Sequence, residues 1–296
     1  MKGRLTATVV SALLLVLLFS GSVFSMAKVQ ALRGGQATLE EVLYLPSGKT
    51  LKRLSLGYSS LLADIYWTRA VQYFGNRISH YSVRYDLLAP LLNITTDLDP
   101  HLIVAYQDGS VFLSQKPPLG AGQPEKAVDL LEKGIRNNPE YWRLYFTLGF
   151  VHYMDRHDYK AAEEAFRKGS EVPGALPWMK VMAARMAEKG HDIGTSLVLW
   201  NTVYDETRDK EVKDTAAMHI DSLRADADLN ELQRRIQLYQ EKTGSLPSRW
   251  ADLVYDGLLQ GIPVDPTGTA YKLMAGGKVD VQDPGKFKFL GEFRDK

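Results

Sequence analysis

The sequence predicts a mainly α protein: an α-solenoid of stacked helical hairpins, followed by a small α+β C-terminal module. Three observations carry this expectation. Apolar residues recur at helical spacing for about 185 residues beyond Gly57, broken only by short polar or Pro- and Gly-containing stretches. Part of that region repeats itself with a period near 34 residues, the length that one helix–turn–helix unit fills and that stacking extends. After Gly244 the helical spacing stops and glycine, proline and short apolar runs take over, as turns and short strands require.

Composition bounds the chemistry. With 296 residues, 45% hydrophobic and 24% charged, the chain has enough apolar surface to bury a core and is not a disordered sequence. It contains no cysteine, which excludes disulfides, thiol nucleophiles, cysteine-ligated zinc and iron–sulfur clusters. The formal charge of +1 leaves no large positive field, so nucleic acid is not an expected partner. Six histidines are scattered without an HExxH or related spacing, and no metal or other cofactor is expected.

In chain order, residues 1–27 form the first unit. Residues 5–27 carry no charge and follow Lys2 and Arg4; at about 1.5 Å per helical residue they are long enough for a hydrocarbon core of roughly 30 Å. The segment reads as a single-pass inner-membrane anchor with the remainder in the periplasm. The small-residue pairs Val23/Ser25 and Ser25/Ala27 keep open a cleaved signal peptide, and with it a secreted or periplasmic chain. Residues 28–55 read as a linker or as one short strand, with an apolar patch at Val42-Leu43-Tyr44-Leu45. Gly48-Lys49-Thr50 is not a phosphate loop: Leu43 stands where the earlier glycine is needed, and no apolar strand feeds it.

Residues 56–208 hold the repeats and 209–243 a long helix. The spacing predicts helices near 57–74, 80–96, 101–114, 124–137, 140–154, 159–171, 176–189, 192–206 and 209–242. The stretch from Gln123 to Gly134 aligns with that from Asp158 to Gly169 at an offset of 35, and Pro139 and Pro173 lie 34 apart. Ala162, Ala165, Phe166 and Gly169 make one apolar stripe on which a neighbouring helix can approach closely. Glu163 with Arg167 and Glu164 with Lys168 make exposed i,i+4 pairs, each worth about 0.2–0.5 kcal/mol. Asp99-Pro100 and Asn138-Pro139 predict capped helix starts. Trp67, Trp142, Trp178 and Trp200 are expected as wedges between helical layers.

From Pro139 to Gly169, with Tyr145, Leu148 and Gly149 in a first helix and Ala162, Phe166 and Gly169 in a second, the sequence resembles a tetratricopeptide repeat with one residue inserted around Arg156. The preceding unit is similar through Ala105, Tyr106, Ala127, Leu131 and Gly134, with extra residues at 114–121. This resemblance implies a concave groove, lined by first helices, that binds a protein or peptide. Its positions map to Arg143, Phe146, Phe150 and Tyr153, with Val104, Gln107 and Val111 before them and Lys180 and Ala184 after. Phe146 and Phe150 depart from the lysines and asparagines with which such repeats clamp a terminal carboxylate. Read from the residues alone, Phe146 and Phe150 fit core packing as well as a groove.

The last unit, 244–296, contains Gly244-Ser245-Leu246-Pro247, Leu253, Leu258 and Asp265-Pro266-Thr267-Gly268, and resembles the region after the long helix in the major pseudopilin of type II secretion. Gly244 should end the helix, the leucines should fold back on it, and Asp265 to Gly268 should form a turn. Residues 271–273, 279–281 and 287–290 read as strands. Asp280, Asp283 and Asp295 match no calcium motif. No residues form a recognisable reaction centre: His152, His157 and Asp158 crowd a repeat turn, where capping explains them. The expected function is a non-enzymatic, membrane-tethered scaffold or assembly factor of the bacterial cell envelope, linked to secretion or pilus-type machinery. The alternatives are an accessory subunit of an envelope polymer-processing enzyme and a purely structural adaptor.

Overall fold

The computed structural model describes residues 47–291 and the isolated helical positions 17, 19, 20, 21, 24, 25 and 28. Most of the anchor expected at 5–27, most of the 28–55 linker, and Asp295 lie outside the described residues. Among the described residues no helix is long and apolar enough to cross a membrane. The protein is mainly α. Its helices are α1 (Gly48–Leu54), α2 (Ser59–Ser79), α3 (Leu88–Leu98), α4 (Ile103–Ser114), α5 (Pro124–Asn137), α6 (Trp142–Phe150), α7 (Tyr159–Ser170), α8 (Trp178–Lys189), α9 (Ile193–Glu206), α10 (Lys210–Thr243) and α11 (Trp250–Tyr255). Two two-residue strands, β1 (Lys272–Leu273) and β2 (Val279–Asp280), pair antiparallel.

Each helix from α2 to α10 packs on its successor in the chain, and α1 packs on α3. The first core joins α2 to α6 around Leu88, Leu92, Tyr106, Leu131 and Leu144. A second, built on Ala162, Phe166, Met179 and Met186, lies among α6, α7 and α8. The repeat stripe is buried as its spacing demands: Ala162, Ala165, Phe166 and Gly169 all lie inside. The same close contact occurs in both repeat units. A Cβ on Gly134 would stand 2.8 Å from Tyr106, and one on Gly169 would stand 2.6 Å from Tyr145, so both glycines admit a tyrosine that a larger residue would exclude. Glu163–Arg167 and Glu164–Lys168 pair at 3.2 and 2.6 Å.

The residue inserted around Arg156 has a structural counterpart. α6 continues as a π-helical turn, Val151–Arg156, which ends at His157 in the left-handed region (φ 54°). A π turn takes one more residue per hydrogen-bonded loop and so absorbs an insertion without breaking the helix. Asp158 then caps α7, accepting from Ala161 N at 3.0 Å. Asp192 and Asp209 cap α9 and α10 in the same way.

Four expectations are corrected. Residues 80–87 form a turn rather than the start of a helix, and α1 occupies part of the stretch read as linker or strand. Asp99 and Asn138 do not cap the next helices, which begin at Ile103 and Trp142. Instead Asn138 accepts from His101 Nδ1 at 2.8 Å and donates to the Pro100 and Gly134 carbonyls, tying one repeat turn to the end of α5. Residues 287–290 are not a strand: they turn back onto α10, where Phe289 N donates to Ser222 Oγ and Gly291 N to the buried carboxylate of Asp226.

Other readings of the C-terminal stretch match. Gly244 ends α10 at φ 73°, donating to the Gln240 carbonyl. Leu253 is buried with Leu229, Leu232 and Ile236 of α10. Asp265 Oδ1 accepts from Thr267 N and Thr269 N while Gly268 takes φ 83°, the Asx-type turn that Asp-Pro-x-Gly favours.

Candidate functional site

The aromatic side chains expected in a groove lie on α6 and its π turn. Phe146 and Phe150 are half-buried, 4.8 Å apart between ring centroids. Both meet Phe166 of the second core edge-on, at 6.4 and 5.3 Å. On their other side stands Trp178, at 5.2 Å from Phe146 and 6.4 Å from Phe150. The groove reading and the core reading therefore both describe these rings: one part of each packs inward and the remainder reaches solvent. Trp178 is 37% exposed and completes the patch. Its position just after Leu176-Pro177, at the first turn of α8, is the sequence signal that sets it apart from Trp200, which is fully buried.

Arg143 is exposed and its guanidinium lies 4.6 Å from the Trp142 ring centroid, while Trp142 meets Phe146 at 6.0 Å. The edge of the patch is thus an arginine held against an indole. The other expected residues are more dispersed. Tyr153 is half-buried and pairs with Tyr159 at 6.1 Å, beside Lys189. Lys180 is bound to Glu206 of α9 in an ion pair, so its charge is already matched. Gln107 is half-buried and Val104 and Val111 are exposed at the margin of α4. Ala184 is fully buried in a core shared by α8, α9 and α10, with Trp200 and Leu223, and lines no surface.

The polar cluster at the repeat turn is structural in form. Arg156 Nη1 donates to His152 Nδ1 at 3.1 Å and its guanidinium reaches Glu125. A guanidinium offers donors only, so His152 Nδ1 supplies a lone pair and its ring is neutral. Burial, reinforced by the Arg156 charge, holds the His152 pKa below the ordinary imidazole value. His157 is exposed, and Asp158 is occupied as the α7 cap.

A second polar pair gave no sequence signal, because its members are 31 residues apart and neither belongs to a motif. His219 Nδ1 donates to Glu188 Oε1 at 2.7 Å, with both side chains about 95% buried. The imidazole is sandwiched between Trp200 at 4.0 Å and Phe289 at 3.7 Å, nearly parallel to each. Four segments, α8, α9, α10 and residues 287–291, thus meet at one ring. Further along α10, the carboxylate of Asp228, an exposed residue, accepts from Tyr271 Oη at 2.9 Å. Burial raises both pKa values. Trp250 Nε1 donates to the Tyr271 carbonyl beneath them.

Between α3, α4 and α5 lies a cavity of about 50 Å³ lined by Leu92, Asn93, Leu113, Lys126 and Asp129, room for water rather than for a substrate of ordinary size. Among the described residues no group of three or more histidines and carboxylates is placed to hold a metal ion. No family model, curated protein or solved structure matches the chain.

Proposed function

We propose that the chain is a membrane-tethered scaffold or assembly factor of the bacterial cell envelope. In this reading its helices stack as a tetratricopeptide-like α-solenoid, and the aromatic face of α6 and α8 grips a protein or peptide partner. One observation carries the reading: the half-exposed cluster of Phe146, Phe150 and Trp178, bordered by Arg143 on Trp142. Tryptophan, other aromatics and arginine dominate binding energy at protein interfaces, because rigid rings bury large areas at small entropic cost. The rings rest on Phe166 in the core, so the surface is preformed. Its chemistry suits an apolar or aromatic side chain flanked by a carboxylate that Arg143 can meet.

The membrane tether rests on the uncharged run 5–27, and the link to secretion or pilus-type machinery on the pseudopilin-like features of 244–296. Trp178→Ala is the cleanest probe of the aromatic face, since Phe146 and Phe150 also hold the core. With the intact chain purified from membranes in mild detergent, Trp178→Ala together with Arg143→Glu should lower recovery of co-purifying proteins about tenfold, equivalent to ~1.4 kcal/mol, with melting unchanged. Equal recovery by the folded double variant would overturn the proposed face.

A further inference from the structure

The turn joining α1 to α2 presents an apolar surface that the fold leaves open. Leu54, Leu56, Tyr58, Leu61 and Ile65 are each at least 46% exposed, and they fall within twelve residues. Leu56 takes φ 50°, a left-handed conformation that leucine seldom adopts, and is 87% exposed. A strained backbone that displays a leucine to water gains nothing for folding. The surface is rigidly mounted, because α1 packs on α3 with Gly48 against Asp97 and Ser47 caps its start. Lys49, Lys52 and Arg53 border it, and no acidic residue occurs between Ser47 and Ala63.

We infer that this face lies on a bilayer surface containing anionic lipid, so that the folded part of the chain rests against the membrane instead of hanging from it. The inference builds on the tether in the proposed function. Twenty residues, from Lys28 to Ser47, separate the uncharged run from α1, a span of at most about 70 Å even at full extension. Within that radius the bilayer is the partner always present. Its interface takes leucine and isoleucine at the acyl boundary, tyrosine at the headgroups, and lysine and arginine against anionic phosphates. An apolar face bordered by the α1 cations, with the exposed Asp64 beside Ile65 as an acidic neighbour, fits that layered chemistry.

The absence of cysteine makes the test direct. Leu61→Cys and Ile65→Cys, with Val198→Cys and Tyr255→Cys as exposed controls elsewhere, give single sites for an environment-sensitive fluorophore. The full chain is reconstituted into phosphatidylcholine vesicles with about 30 mol % phosphatidylglycerol, and quenching by doxyl-labelled lipid is read. Quenching at 61 and 65 should exceed that at 198 and 255 by roughly threefold, and should fall by about half when Lys49, Lys52 and Arg53 are all replaced by glutamate. Quenching at 61 and 65 no greater than at the controls would overturn the proposal, leaving the surface to a protein. Alkaline carbonate extraction of the same vesicles reports separately on the tether. A retained chain without quenching at 61 and 65 removes the face alone, whereas an extractable chain whose 61 and 65 labels were quenched removes the tether and keeps the face.

Discussion

His152 shows how a single side chain acquires a fixed protonation state. Its burial and the Arg156 guanidinium both oppose protonation, whereas in the unfolded chain its pKa is about 6.5. Between the lowered native value and 6.5 the unfolded state binds more protons, so stability rises with pH across that window and is constant above it. Acidification below pH 6.5 should therefore lower the melting temperature of the wild-type chain, with a smaller drop in His152→Gln. Parallel melting curves from pH 7.5 to 5 for the two chains would remove this role. The sequence displayed His152 beside a turn but not its partner, because the helix expected near 140–154 stops short of Arg156, whereas the π turn extends it to that residue. The pair of His219 and Glu188 was not legible at all: nothing local marks two residues that meet across three helices. Lys180 illustrates the opposite limit, since its helical position was legible but its ion pair with Glu206 was not.

At the scale of elements, the periodic pattern was legible almost to the residue wherever a helix buries a stripe, as in α5 and α7. It misled where burial has no period. Residues 80–87 contain Tyr85 and Leu87, both buried, but reach the core from a turn. Phe287 to Leu290 have a strand's composition, yet they turn locally, with Phe287 N and Leu290 N donating to the Pro284 and Phe287 carbonyls and Phe289 N to Ser222 of α10. The contact that defines the α6–α7 hairpin is equally specific: a Cβ on Gly149 would lie 2.8 Å from the Phe166 ring. Phe166 is fully buried and has no free direction in which to move. Gly149→Ala should thus cost about 1–3 kcal/mol by overpacking, despite the higher helix propensity of alanine. Urea denaturation would measure it, and an unchanged or raised midpoint would show that the hairpin is looser than this geometry implies.

For the whole molecule, the buried pair is the junction between the helical array and the C-terminal segment. Removing either partner leaves the other polar group without its hydrogen bond deep in an apolar sandwich, at a cost of about 1–3 kcal/mol for a buried group left unsatisfied. Glu188→Ala should destabilise the chain by that amount. It should also expose amides of both the α8–α9 region and residues 287–291 to hydrogen exchange, since Phe289 stacks on the ring that Glu188 holds. Loss of protection confined to α8 and α9 would show that the C-terminal segment docks independently. Without any cysteine, the chain relies on such contacts instead of disulfides.

The long helix α10 enters two cores without a break: Ala216, Ile220 and Leu223 belong to the one shared with α8 and α9, and Ala225, Leu229, Leu232 and Ile236 to the one shared with α11 and the strands. Its 34 residues make a rod about 51 Å long, with no hinge between the two. A force applied to the C-terminal segment is then carried along this rod as a torque on the α8–α9 hairpin rather than absorbed in a slack joint.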